Sequence, residues 1–571
     1  MAEVGTVTDT ITEAAETKRW SNCSRGSGSS LDNETDDVSA FFQTAARRSS
    51  KLIRRTSSIV WEETRPATPA GWTIFTAAIV SAILRYEQKL QRSLTCPPLV
   101  FFQHDEPNEQ QYTEETMRKI YQILSQKPNG ILAQPVQPSL WVGTRGTIAS
   151  SMALIAGRPH RRTDRHVRFR EILTMAIDGA TLALDWEMLA NTHKDPQQYI
   201  LKGPIDKPVV LILHGINNDS NAGYIRALQR TMTDRGHIAV GMNFRGCGGV
   251  PLSTPRGYNG AYTGDLRCVV QSIQARLANP SDIPVFLTGH SLGANLVAKY
   301  LGEEGLSGTL PECIAGGACL GNPLEIHSKN NMHTPWKQIL AWGVKLDLAL
   351  QWQTYRKIMV YPEVKRAIWN ALKASHIHEV DEALCPITLR NDPYYPFATS
   401  IGYKNGEEYW DDASSYKYIR HINVPLLKII AGDDKVVYHS FQRKLTHNIM
   451  NPNIMSVETK CGGHLGWQES PPRDGSEKSS SIFSVGPSWA GRATADFIDA
   501  VIQTRKSGGV ETVSKDSLHA FERPTSHVFT REYLPSKPTI AIEQKASAST
   551  TTRILNGAVP KRFVPVLSSK L

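Results

Sequence analysis

The sequence predicts an α/β protein: a mainly parallel, doubly wound sheet with a helical cap inserted over it. Three observations carry this. Short apolar runs such as PVVLILH (208–214), HIAVGMN (237–243) and VFLTG (285–289) read as buried strands. Stretches with helical spacing lie between them, as the right-handed crossovers of a parallel sheet require. The alternation stops after Asn322-Pro323 and resumes at PLLKIIA (425–431), so the intervening residues read as an insertion.

Composition agrees with one large domain flanked by tails. Of 571 residues, 40% are hydrophobic and 21% charged, enough for a sizeable core. A net charge of +10 raises the question of nucleic acid. The densest basic stretch, Arg47, Arg48, Lys51, Arg54 and Arg55, lies in an N-terminal extension with no finger spacing or aromatic-interleaved module after it, so nucleic-acid binding is not expected. The 8 cysteines are scattered, without a CxxC pair or a Cys/His spacing suited to zinc; a reduced compartment and no metal are expected. The opening MAEVGTVTDTITEAAE has early acids and no apolar core, so no secretory signal is read.

Along the chain, residues 1–70 form a Ser-, Thr- and charge-rich extension. Within it Phe42, Ala45, Ala46, Leu52, Ile53, Ile59 and Val60 fall on one helical face opposite the basic residues. That pattern suits an anionic membrane surface, and a solvated extension with helical bias is the alternative. RRSS and RRTS there have the form of basophilic-kinase sites, whose phosphorylation would weaken such attraction. The apolar run GWTIFTAAIVSAIL (71–84), in an anchor-like segment 71–92, is shorter than the roughly 20 residues of a spanning helix. A membrane-inserted anchor and a helix docked on the enzyme both remain open.

Residues 93–167 are a lead-in, and the catalytic domain is expected over 168–505. It starts with a hairpin, ILTMAI and TLALDW around Asp178-Gly179. The cap spans about 323–420 and is rich in aromatics, among them Trp336, Trp342, Trp352 and Trp369. Beyond PLLKIIA come a helix around 440–448, the strand NIMSVETK, the polar loop SPPRDGSEKSSS and a last helix from about 489 to 504. Residues 506–571 read as a flexible tail.

The chemistry sits at the carboxyl ends of the predicted strands, where ligands bind in open α/β sheets. Gly289-His290-Ser291-Leu292-Gly293 is a G-x-S-x-G, which alone would occur by chance in about one chain in four of this length. Here a strand precedes it and a helix follows, so the glycines permit the sharp turn of a nucleophile elbow and the fold expected is that of an α/β-hydrolase. His214-Gly215-Ile216 closes the first strong parallel strand; the amides of Ile216 and Leu292 are the expected oxyanion hole, with His214 only holding the loop. A serine hydroxyl needs a base, and the base a third group to fix its tautomer. His464, after Cys461-Gly462-Gly463, is the candidate base. His421, His439 and His447 are less well placed. For the acid, Gly432-Asp433-Asp434 follows PLLKIIA; Asp433 competes with Asp434, and Glu325 is a more distant candidate.

The motifs REILTMAIDGATLALDW, LHGINN, NFRGCGGVPLSTPRGYNGAYTGDL, GHSLGANLVAKYLGEEG, GYKNGEEYWDDASS, INVPLLKIIAGDD and GGHLGW, in this order, resemble the YheT-like branch of the α/β-hydrolase superfamily. That branch includes animal abhydrolase-domain lipases and fungal medium-chain esterases. The resemblance covers about 168–500 and aligns Asp434, the second position, as the acid. It implies serine esterase or lipase chemistry on medium- or long-chain acyl esters without metal or organic cofactor. Acyl transfer to an alcohol, acyl-thioester cleavage and a non-catalytic scaffold are the alternative readings. The chain departs from its relatives in GDDKVV, where DDP is common, and in the polar insertion after Glu469.

The final Ser569-Lys570-Leu571 has the form of a receptor-read peroxisomal address. A peroxisomal import receptor, or else a membrane surface, is therefore an expected partner besides the lipid-like ester.

Overall fold

The computed structural model describes residues 69–101, 111–126, 130–153, 165–175, 177–326, 332–391, 399–438, 451–470, 488–506 and 566–567. The basic amphipathic stretch, the kinase-like motifs, the helix expected at 440–448, most of the polar loop and the terminal tripeptide lie outside these residues. The chain divides into two units, Met1–Leu84 and Arg85–Leu571. Of the first, only the beginning of helix α1 (Pro69–Leu94) is described, with Ile79, Val80 and Ile83 exposed. The second half of α1 carries Arg85, Glu87, Lys89 and Arg92, and no helix among the described residues is long and apolar enough to cross a membrane.

The second unit opens with β1 (Leu99–Phe101), α2 (Gln111–Ser125) and α3 (Gly146–Met152), followed by the hairpin β2 (His166–Thr174) and β3 (Thr181–Leu189). Then come α4 (Pro196–Lys202), β4 (Val209–Leu213), α5 (Gly223–Asp234), β5 (Ile238–Asn243), α6 (Gly264–Gln274), β6 (Val285–His290), α7 (Leu292–Ser307) and β7 (Ile314–Leu320). Local signals set several ends. Asp195 caps α4 by accepting from the Gln198 amide, ahead of a proline in the first turn, and Gly308, left-handed at φ 68°, ends α7.

The cap is α8 (Thr334–Leu350), α9 (Trp352–Tyr355), α10 (Pro362–Lys373), α11 (Ile377–Leu384), the short hairpin β8 (Leu389–Asn391) and β9 (Thr399–Ile401), and α12 (Gly406–Ala413). The hairpin has no counterpart in the sequence reading, because three-residue strands are too short to show a period. The sheet resumes with β10 (Leu426–Ala431) and β11 (Ile454–Thr459), and α13 (Trp489–Lys506) follows.

Across the sheet the strands run β1-β11-β10-β7-β6-β4-β5-β3-β2. Neighbours from β11 to β5 are parallel, while β1, β3 and β2 are antiparallel to theirs. A two-residue strand, β12 (Val566–Leu567), pairs antiparallel with the end of β2. The expected α/β-hydrolase class therefore holds.

Period-2 geometry divides β4 between two cores: Val209, Leu211 and Leu213 join the cluster on one face, Val210 and Ile212 that on the other. Truncating such a residue, as in Leu211→Ala, would cost about 2–5 kcal/mol. The second core also takes Met117, Ile120 and Leu124 from α2, packed with Trp467 and Trp489. The cap has its own apolar cluster and is fastened to the sheet-end loops: Gln351 donates to the Gly246 carbonyl at 3.2 Å and accepts from the Leu252 amide at 3.1 Å. Its tryptophans do not all pack inward, since Trp342 is 64% exposed.

Candidate active site

Ser291 stands between β6 and α7 with φ 54° and ψ −116°, a conformation that residues with a Cβ rarely adopt and that costs of order 1–3 kcal/mol. Its neighbours must be small. A Cβ on Gly293 would lie 2.5 Å from the His214 carbonyl oxygen, and one on Gly289 would run into the Gly293 carbonyl. The Ser291 amide donates to the Leu320 carbonyl at 2.8 Å, fixing the turn to β7.

From Ser291 Oγ the polar chain runs to His464 Nε2 at 2.8 Å, and from His464 Nδ1 to Asp434 Oδ2 at 2.8 Å. The other oxygen, Asp434 Oδ1, accepts from the amides of Val436 and Val437 at 2.8 and 3.0 Å. Both imidazole nitrogens are thus engaged, which leaves no place at the ring for Asp433 or Glu325. Asp433 Oδ1 instead accepts from the Gly463 amide at 2.7 Å, and burial, reinforced by the neighbouring Asp434, pushes its carboxyl above the usual carboxylate range. Gly462 and Gly463, at φ 149° and 56°, make the turn that brings His464 over the serine.

The same loop is braced from far upstream. Ser150 on α3 accepts from the His464 amide at 2.6 Å and donates to the Gly146 carbonyl at 2.6 Å. A side chain at Gly146 would strike the backbone of Asp433, so α3 and the acid loop sit against one another.

The candidate oxyanion loop is held at two points. The Tyr224 hydroxyl accepts from the Gly215 amide at 3.1 Å, and the Tyr258 hydroxyl from the Asn217 amide at 3.0 Å. Between them the Ile216 amide has no protein acceptor among the described residues, nor has that of Leu292 at the start of α7. His214 is 2.7 Å from the Gly215 carbonyl through Nδ1, and its Nε2 accepts from the Phe244 amide at 3.2 Å. That pattern requires a neutral ring with the proton on Nδ1, consistent with burial pulling its pKa to about 4. His290 is likewise buried, its pKa lowered to about 3, and it packs on Tyr224 at 4.8 Å.

The structure therefore brings together Ser291, His464 and Asp434, with the amides of Ile216 and Leu292 unengaged beside them. Sequence reasoning missed Ser150, Tyr224 and Tyr258. Tyr258 lies inside PRGYNGAYTGDL, but nothing local distinguishes a loop-holding tyrosine from a packed one, and Ser150 belongs to a helix outside the recognisable motifs. Among the described residues no cluster of three or more His, Cys, Asp or Glu is arranged to hold a metal ion.

A family model described as serine aminopeptidase, S33 matches residues 205–465. Embryogenesis-associated protein EMB8 of Picea glauca is 28% identical over 307 residues, covering 52% of this chain and 61% of that protein. Monoacylglycerol lipase of Saccharomyces cerevisiae is 30% identical over 287 residues, covering 48% and 58%. Phospholipase ABHD3 of Mus musculus is 26% identical over 318 residues, covering 55% and 69%. The chain thus spans about three fifths of the length of the first two of these relatives.

Proposed function

Starting from an α/β-hydrolase of the esterase and lipase branch, we propose that this chain hydrolyses lipid-like carboxylic esters through an acyl-enzyme on Ser291. The observation that carries the proposal is the unbroken series Asp434–His464–Ser291, with 2.8 Å at each link. Attack by Ser291 Oγ on the ester carbonyl passes its proton to His464 Nε2. Asp434 holds the ring with Nδ1–H toward the carboxylate and stabilises the imidazolium that forms. The amides of Ile216 and Leu292 take the developing oxyanion; each such donor is worth about 3–4 kcal/mol in the transition state. His464 returns the proton to the departing alcohol, then activates water to release the acid and free the serine.

The apolar cap cluster, which includes Leu340, Val344 and Leu348 beside Ile216, supports an aliphatic acyl group as the portion held. A relative named monoacylglycerol lipase and another named phospholipase point the same way. The test is labelling by a fluorophosphonate together with release of free fatty acid from a series of glycerol esters, for the natural sequence and for Ser291→Ala. Labelling and acid release lost together in the variant support the reading. Release that survives the substitution overturns it.

A further inference from the structure

Helix α8 wears its polarity inside out. Toward the enzyme it packs Ala341 and Leu348, and its charged residues Lys337, Lys345 and Asp347 are all partly buried. Lys345 Nζ donates to the Ala374 carbonyl at 2.9 Å. Toward solvent, Ile339, Trp342, Leu346 and Leu350 are 51%, 64%, 41% and 71% exposed. At 100° per residue they occupy one stripe. Val360, Tyr361 and Trp369, beside and on α10, are exposed as well. Large apolar side chains gathered in one exposed helix stripe mark an interaction site.

The charge of the cap stretch that follows identifies the partner. Arg356, Lys357, Lys365, Arg366 and Lys373 are exposed in the cap stretch 356–373 that follows α8, with Glu363 as its exposed acid. None of the five cations is ion-paired among the described residues. Apolar side chains that reach into an acyl boundary, with cations around them at headgroup level, are the chemistry of a helix lying in an anionic lipid interface.

The same helix touches the candidate site. Asn217 Nδ2 donates to the Leu340 carbonyl at 3.2 Å, next to Ile216, and Gly343 leaves room for the Asn217 side chain. We infer that the α8–α10 face of the cap docks on an anionic lipid layer, holding the oxyanion loop close to the surface from which a lipid-like substrate would come. Docking needs none of the serine chemistry, so its failure and the failure of the proposed activity are separable.

The test is hydrogen exchange read by mass spectrometry on the full chain carrying Ser291→Ala, so that no lipid is consumed. It is run alone, with phosphatidylcholine vesicles and with vesicles also containing phosphatidylserine. Exchange in 334–350 and 356–373 should slow by about fivefold or more on the anionic vesicles and much less on neutral ones. Trp342→Ser with Leu350→Ser should remove that protection; the single Leu350→Ser, at the most exposed position of the stripe, should reduce it if the double variant does not fold. Unchanged exchange in α8 on anionic vesicles overturns the inference, whether or not the chain sediments with them. So does equal protection on neutral vesicles, or protection that appears without vesicles as protein concentration rises, which would assign the face to a second copy of the chain.

Discussion

The Ser150 hydroxyl receives the backbone N–H of His464 across 314 residues of sequence. The candidate base is therefore positioned by a helix near the start of the folded unit as well as by its own glycine turn. Ser150→Ala would leave that buried amide unpaired, at about 1–3 kcal/mol. Loosening the imidazole should lower kcat by about 10–100-fold with KM little changed, measured by steady-state ester hydrolysis.

Replacing Ser291 by Ala should reduce turnover by about 10⁵–10⁶-fold, as removal of a triad nucleophile does. The melting temperature should change little, because the backbone turn at φ 54° is kept by the surrounding glycines and the hydroxyl gives up only its part-buried hydrogen bond to His464. Differential scanning fluorimetry alongside a fluorogenic ester reads both.

The two neighbouring acids should separate cleanly. Asp434→Asn is expected to lower kcat by about 10³–10⁴-fold, since an amide cannot hold the same imidazole tautomer or balance the imidazolium. Asp433→Asn keeps an acceptor for the Gly463 amide and should stay within about tenfold of the natural enzyme. A comparable loss in the two variants would count against Asp434 as the acid.

Tyr258→Phe removes the acceptor for the Asn217 amide and frees one side of the candidate oxyanion loop. We expect kcat to fall by about tenfold, and by more when Tyr224→Phe is added. Binding of a phosphonate that mimics the tetrahedral intermediate should weaken in parallel, whereas binding of an unreactive substrate analogue should not.

Stability should carry a pH signature from the cap. Burial pushes the Asp381 carboxyl from 3.8 up to about 7, only partly offset by the Trp410 indole N–H that donates to it at 3.1 Å. With the folded-state value above the unfolded one, folding favours the protonated form. The contribution is complete below about pH 4 and is lost as pH rises toward 7. Asp381→Asn keeps an acceptor for Trp410 and should be the more stable protein at pH 8, by about 1–3 kcal/mol, with little difference at pH 4. Thermal melts across that range check it.

Much of this architecture is written locally. The alternation of buried strands and helices survives even Lys428, a buried lysine in the middle of β10 whose pKa is lowered to about 7 by burial, because five apolar neighbours in LLKIIA outweigh it. Ser291, His464 and Asp434 announce themselves by glycine turns at strand ends, where few other residues fit. What local reading misses is long-range. Ser150, Tyr224 and Tyr258 act through backbone amides, an encounter no residue pattern encodes. The outward face of α8 is hidden for another reason: periodicity shows that Trp342 and Leu346 share a side, and says nothing about whether that side meets the core or the solvent.

The antiparallel pairing of Leu99–Phe101 with β11, the packing of Met117, Ile120 and Leu124 against Trp467 and Trp489, and the anchoring of α3 under the histidine loop have a practical consequence for anyone producing this protein. The piece expected to fold on its own is larger than the stretch 168–500 that carries the resemblance. A fragment trimmed to 168–505 would bare a tryptophan-lined flank and an unpaired strand edge, and is expected to precipitate, whereas one begun at Arg85 keeps both covered.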